Sequence, residues 1–226
     1  MTDTNLAQKL ITAVDEADSS PKLLEAVQNL AAASLVETVP NLIAALGYNN
    51  PGAAVAAVDG LIAIGEPSVE PLLELIDNYN YGARAWAVRA LAGIGDPKAL
   101  DTLLDAAKND FALSVRRAAA RGLGIIKWHS MESRKVQLSQ IQVLEALISV
   151  CGDPEWVVRY AAVTGLEGLA LTLSESPSES NVIPRILTQL SHMADTDGEI
   201  AITARVKYAL QKLQEGVGID SIAISS

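Results

Sequence analysis

Seven of the nine aromatic residues lie in one stretch: Tyr79, Tyr81, Trp86, Phe111, Trp128, Trp156 and Tyr160. Seven of the nine arginines crowd the same region: Arg84, Arg89, Arg116, Arg117, Arg121, Arg134 and Arg159. Planar rings stack on a flat conjugated molecule, and guanidinium groups hold carboxylates by paired hydrogen bonds. An extended linear tetrapyrrole with carboxylate side chains asks for both. An acidic protein surface asks for the same residues, with arginine and tryptophan as its hot spots. The candidate contact residues are Tyr79, Asn80, Tyr81, Arg84, Trp86, Arg116, Arg117, Trp128, Trp156, Arg159 and Tyr160. The turn Asp77–Trp86 stands out, because a mere helix connection needs none of its aromatics. Plainer roles compete: Arg116 and Arg159 also suit pairing with an aspartate of a neighbouring repeat, and Trp156 also suits helix-start packing. Cys151 and His192 read as ordinary packing and surface residues.

The elements that must carry these side chains are repeats. AAVAAVDGLIAIG (53–65), ARAWAVRALAGIG (83–95), VRRAAARGLGIIK (115–127) and VRYAAVTGLEGLA (158–170) align on Leu61, Leu91, Leu123 and Leu166, spaced by 30, 32 and 43 residues. Shorter apolar helices lie between them at 40–46, 71–77, 99–107 and 142–150, set off by turn signals such as Gly95-Asp96-Pro97 and Gly152-Asp153-Pro154. One helix pair cannot bury its apolar face alone, so neighbouring pairs must stack. The expected fold is all-α: a HEAT-like repeat α-solenoid, a right-handed superhelix of about five to six helix pairs. Residues 1–215 read as a single solenoid, with a cap at 1–33, core repeats at 34–170 and a last helix pair at 183–215. Residues 216–226 read as a disordered tail, 174–181 as a polar loop, and Trp128–Gln140 as an insertion whose loop borders the binding surface.

Composition narrows the classes. Half the chain is hydrophobic yet only 4% is aromatic, so the apolar mass is Ala, Leu, Val and Ile, suited to closely packed helices. A net charge of −10 argues against nucleic acid as a partner. The charge is uneven: residues 1–80 hold 11 acidic and 2 basic side chains, whereas 81–160 hold 8 acidic and 11 basic. No apolar run reaches membrane-spanning length and the first residues lack a secretion signal, so no membrane is expected. The lone Cys151 excludes an internal disulfide and fits a reducing cytoplasm. With one Cys and two distant His, no metal site and no cofactor are expected.

LGYNNPGAAVAAVDGL (46–61), NYNYGARAWAVRALAGIGDPKAL (78–100), DFALSVRRAAARGLG (110–124) and DPEWVVRYAAVTGL (153–166) resemble the E/F-type phycobilin lyases of cyanobacteria and red algae. The short length and the 110–124 string favour the F-type (β) branch. The resemblance implies a heterodimer with an E-type α subunit that attaches phycocyanobilin, a substrate rather than a cofactor, to a cysteine of the phycocyanin α chain. The nucleophile then belongs to the acceptor protein, and catalysis is mostly positioning. A carboxylate that hydrogen-bonds the pyrrole nitrogens would raise the electrophilicity of the bilin. Asp77, Asp110 and Asp153 are the candidates, each also a plausible helix cap. Relatives that also isomerise the bilin carry an adjacent His-Cys pair, where this chain has His129-Ser130. Ligation without isomerisation is therefore expected. The alternatives are a non-catalytic scaffold or chaperone for a phycobiliprotein, and a lyase for another bilin or another phycobiliprotein subunit.

Overall fold

The computed structural model describes residues 3–77, 81–174 and 181–217, and among them it holds twelve α-helices and no strand. The chain divides into two compact units, Met1–Ala99 and Leu100–Ser226.

The first unit contains α1 (Asp3–Asp15), α2 (Ser20–Ala32), α3 (Val39–Ala45), α4 (Pro51–Ile64), α5 (Val69–Asp77) and α6 (Tyr81–Ile94). The second helices of the pairs pack in sequence, α2 against α4 and α4 against α6, with α3 and α5 behind them. Small residues allow the close approach, since a Cβ at Gly60 would sit 2.7 Å from that of Ala31. Asn50 sets the start of α4. Its Oδ1 accepts from the Ala53 amide at 3.1 Å, and its Nδ2 donates to the Ser20 carbonyl at 3.0 Å. Gly65 and Gly95 end α4 and α6 with φ of 81° and 68°, a backbone region that suits glycine. The register leucines Leu61 and Leu91 are fully buried.

The second unit contains α7 (Leu100–Asn109), α8 (Leu113–Leu123), α9 (Ser133–Val150), α10 (Trp156–Ser174), α11 (Val182–Thr196) and α12 (Ile200–Val217). Its second helices α8, α10 and α12 again pack in sequence, with α7, α9 and α11 as the layer behind. Glycines interlock α8 with α10. A Cβ at Gly165 would meet the Ala120 carbonyl oxygen, and one at Gly168 would lie 2.6 Å from the Gly124 carbonyl oxygen. Leu123 and Leu166 are fully buried, each worth about 1.5–3 kcal/mol of transfer free energy.

The stretch Trp128–Gln140 differs from the expected inserted loop. A 3-10 turn at Trp128–Ser130 leads into α9, which begins at Ser133 and runs 18 residues. Arg134, Lys135, Gln137 and Leu138 are good helix formers, and the added residues lengthen the helix instead of looping out. The last two helices run Val182–Thr196 and Ile200–Val217, and residues 218–226 lie outside the described residues.

Candidate functional site

The turns before α8, α10 and α12 repeat one device. Asp110, Asp153 and Asp197 each accept, through Oδ1, the amide two residues on, from Ala112 (2.8 Å), Glu155 (2.9 Å) and Glu199 (3.0 Å). Arg116 then reaches forward to the next turn, with Nε donating to Asp153 Oδ2 at 2.7 Å and Nη2 to Oδ1 at 3.1 Å. Its Nη1 turns back to the Asp110 and Phe111 carbonyls. Arg159 does the same one repeat later, pairing with Asp197 at 2.8 and 3.0 Å and donating to the Asp153 and Pro154 carbonyls. Burial opposes the charge on Asp153, but the Arg116 hydrogen bond, the Glu155 amide and the nearby guanidinium charges outweigh it and hold the carboxyl below its usual range. The Arg159 hydrogen bond likewise lowers Asp197.

Arg116 and Arg159 thus take the plainer of the two roles their sequence positions suit, pairing with an aspartate of the next repeat. The donors of Arg116 and Arg159 are committed to stapling one repeat to the next, and half-buried Arg84 is engaged as well. Asp110 and Asp153 serve as turn acceptors, and Asp153 also holds Arg116. Both oxygens of Asp153 are occupied, and Asp110 Oδ2 is buried away from solvent. The physical reason is position: the second-helix start lies at the junction of repeats, where an arginine finds the next turn before it finds solvent.

The open side of the α8–α10–α12 layer carries a different set. Trp156, Tyr160, Thr164 and Glu167 follow one another at spacings of four, four and three along α10, which puts them on one stripe. Arg117 and Arg121 hold the positions of Tyr160 and Thr164 on α8, and Tyr208 holds the Thr164 position on α12. Neighbouring helices lie about 8–10 Å apart, so these rows are adjacent. Arg117 and Arg121 are exposed and take no hydrogen-bond or ion-pair partner among the described residues. Tyr160 and Tyr208 are 40% and 52% exposed, and the Lys212 ammonium lies 5.8 Å from the Tyr208 ring centre. Buried Arg205, on α12, joins the two rows. Its guanidinium lies 5.7 Å from the Tyr160 ring centre and 5.5 Å from that of Tyr208. Its Nη1 donates to Glu167 Oε2 at 2.7 Å and its Nε to Thr164 Oγ1 at 3.2 Å.

The other expected residues are distributed as follows. Trp128 is half-buried and donates from Nε1 to Thr172 Oγ1 at 3.3 Å, on the neighbouring helix. Trp86 belongs to the first unit, where the Arg89 guanidinium sits 5.7 Å from its ring centre. A groove of about 370 Å³ in that unit is lined by Gln28, Ala31, Val55, Asp59 and Gly60, with no aromatic and no cation. Tyr79 and Asn80 lie outside the described residues, as do the side chains of Asp77 and Tyr81. Burial pushes the Cys151 thiol up to about 12, so it is no thiolate nucleophile at neutral pH. No group of three or more His, Cys, Asp or Glu able to hold a metal occurs among the described residues.

Sequence reasoning brought Arg117, Trp156 and Tyr160 to this face and missed Glu167, Arg205 and Tyr208. The signal was present: Leu210 continues the series Leu123, Leu166, and alignment on it sets Tyr208 beside Arg121 and Thr164.

An aromatic- and guanidinium-lined face on stacked helix pairs defines a class, the HEAT-repeat binding solenoid. The family model described as HEAT repeats matches residues 69–167. The chain is 55% identical over 215 residues to a phycocyanobilin lyase subunit beta of Pseudanabaena tenuis, covering 95% of this chain and 76% of the relative. It is 58% identical over 163 residues to the phycocyanin alpha phycocyanobilin lyase CpcF of Synechocystis sp., covering 72% of this chain and 76% of that one. A solved structure of the complex of CpcE and CpcF of phycocyanin lyase from Nostoc sp. aligns with a TM-score of 0.70 at 46% identity, over 78% of this chain and 99% of the solved one. The chain belongs to the phycocyanobilin lyase β-subunit (CpcF) family, and its fold is an all-α HEAT-repeat solenoid.

Proposed function

We propose that this chain is the β subunit of a heterodimeric bilin lyase. With an E-type α subunit, in the cytoplasm, it attaches phycocyanobilin to a cysteine of the phycocyanin α chain. The observation that carries the reading is high identity along nearly the whole chain to lyase β subunits. The open face of the second unit supplies matching chemistry. Arg117 and Arg121, exposed and without an ion-pair partner among the described residues, suit propionate carboxylates, and the Tyr160 and Tyr208 rings offer planar contacts for the tetrapyrrole. No helix among the described residues is long and apolar enough to cross a membrane.

In the reaction the acceptor cysteine sulfur bonds to the ethylidene carbon of the bilin, the carbon–carbon double bond opens, and the thiol proton goes to the adjacent ring carbon. No oxidant or reductant is needed. The lyase contributes position: it holds the bilin extended, presents one face of the ethylidene group to the thiol, and suppresses addition elsewhere. Buried Cys151 has no part in the transfer.

The test is reconstitution from the chain, its E-type partner, phycocyanobilin and apo-phycocyanin α subunit. A covalent, fluorescent phycocyanobilin adduct is expected, lost when this chain is omitted. An equal rate without it, or an adduct with the spectrum of an isomerised bilin, overturns the corresponding part of the reading.

A further inference from the structure

Of the acidic residues in the second unit, Asp110, Asp153 and Asp197 are taken up by the turns and staples. Glu167 differs from all three. It sits mid-helix on the open stripe of α10, with its side chain 15% exposed and paired to an arginine only 8% exposed. The pair is half used. Arg205 Nη1 serves Glu167 Oε2 and Nε serves Thr164, whereas Glu167 Oε1 and Arg205 Nη2 take no partner among the described residues. One ion pair therefore keeps an acceptor and a donor open, beside two exposed tyrosine rings and one row from Arg117 and Arg121. Partly buried polar groups with unused capacity interact strongly with a ligand that completes them, because little water competes.

A planar molecule with an N–H next to a carbonyl completes this pair, and the pyrrole and lactam edge of an open-chain tetrapyrrole has that pattern. Resting on the bilin-lyase reading above, we propose that Glu167 and Arg205 are the polar anchor of the tetrapyrrole. Glu167 Oε1 accepts from a pyrrole or lactam N–H, and Arg205 Nη2 donates to the neighbouring lactam oxygen. Thr164 and the two tyrosine rings hold the guanidinium in place. A carboxylate at the ring nitrogens favours the protonated, cationic chromophore. The cation draws electron density from the ethylidene carbon, where the sulfur adds. Glu167 thereby replaces Asp110 and Asp153 as the carboxylate that activates the bilin.

The test uses the heterodimer with the variant Glu167→Gln, which keeps the volume and an oxygen acceptor for Arg205 but loses the charge. Expected are an unchanged helix signal and unchanged heterodimer formation. The red-shifted band of bound phycocyanobilin should give way at lower pH than in the parent. The rate of covalent attachment should fall about a hundredfold, at the low end for loss of a proton-handling group. Glu167→Asp, which keeps the charge, should restore most of the spectral pH range. A purely structural ion pair would instead lower the helix signal of Glu167→Gln and leave the pH transition of the bound chromophore unmoved in the folded fraction, which overturns the proposal. Parent-like spectrum and rate in Glu167→Gln overturn it too, with the lyase reading intact. A parent heterodimer that binds no bilin at all overturns both.

Discussion

Removing one aspartate should unlock two repeats at once. Asp153 receives two charged hydrogen bonds from Arg116, at 2.7 and 3.1 Å, and caps the Glu155 amide at 2.9 Å. Its side chain is 9% exposed and that of Arg116 is 13%. Loss of the cap costs about 1 kcal/mol. Stranding a buried partner costs about 3–5 kcal/mol, but Arg116 keeps its bonds to the Asp110 and Phe111 carbonyls and some access to water. The lower end applies, and Asp153→Ala should cost about 3–4 kcal/mol in all. Asp153→Asn keeps an oxygen for the cap and should cost about 2 kcal/mol. In a double-mutant cycle with Arg116→Met, a coupling of about 2 kcal/mol is expected. Urea unfolding followed by tryptophan fluorescence measures it in a Trp86→Phe background, where Trp128 and Trp156 both report on the second unit. The pH dependence has a definite sign. The folded carboxyl is lowered, so its contribution is complete above the unfolded value of about 3.9 and is lost as pH falls through the folded value. The gap between parent and Asp153→Asn should therefore be constant from neutral pH down to about 5 and close below about 4. A coupling under about 0.5 kcal/mol, or a gap that persists in acid, refutes the staple.

Three further outcomes follow from the same geometry. Arg117→Ala with Arg121→Ala should weaken phycocyanobilin binding by the heterodimer about tenfold or more, since each removes a charge-assisted contact, and leave the urea midpoint unchanged. Equal binding would place the propionates elsewhere. Gly165→Ala forces a Cβ onto the Ala120 carbonyl oxygen and within 2.8 Å of Leu147, so α8 and α10 must separate; a loss of about 2–3 kcal/mol in urea unfolding is expected, and a neutral result would mean that the helices slide freely. Cys151→Ala should retain full attachment activity, measured as covalent adduct per minute, because the raised thiol is not a nucleophile. Loss of activity with an intact fold would contradict that assignment.

Much of this protein was legible in its residue order. The leucine series, the small residues of the second helices and the Gly-Asp-Pro turns follow local rules of helix packing and capping, so the paired-helix architecture came through by inspection. The enrichment of arginine and aromatics in the middle marked a stretch that spans both units, and the Asp77–Trp86 turn that stood out most lies in the first. Which arginines remain available was decided only in three dimensions. Arg116 and Arg117 are neighbours in the chain, yet a helix turns about 100° per residue, so one is directed at the next repeat and its aspartate while the other faces solvent. The same rule separates Asp153, bound into a turn, from Glu167, which shares its charge with Arg205 from 38 residues away. Sequence periodicity sets which residues share a helix face. Only the packing of one repeat on the next determines whether a charge on that face meets a partner or is left for a ligand.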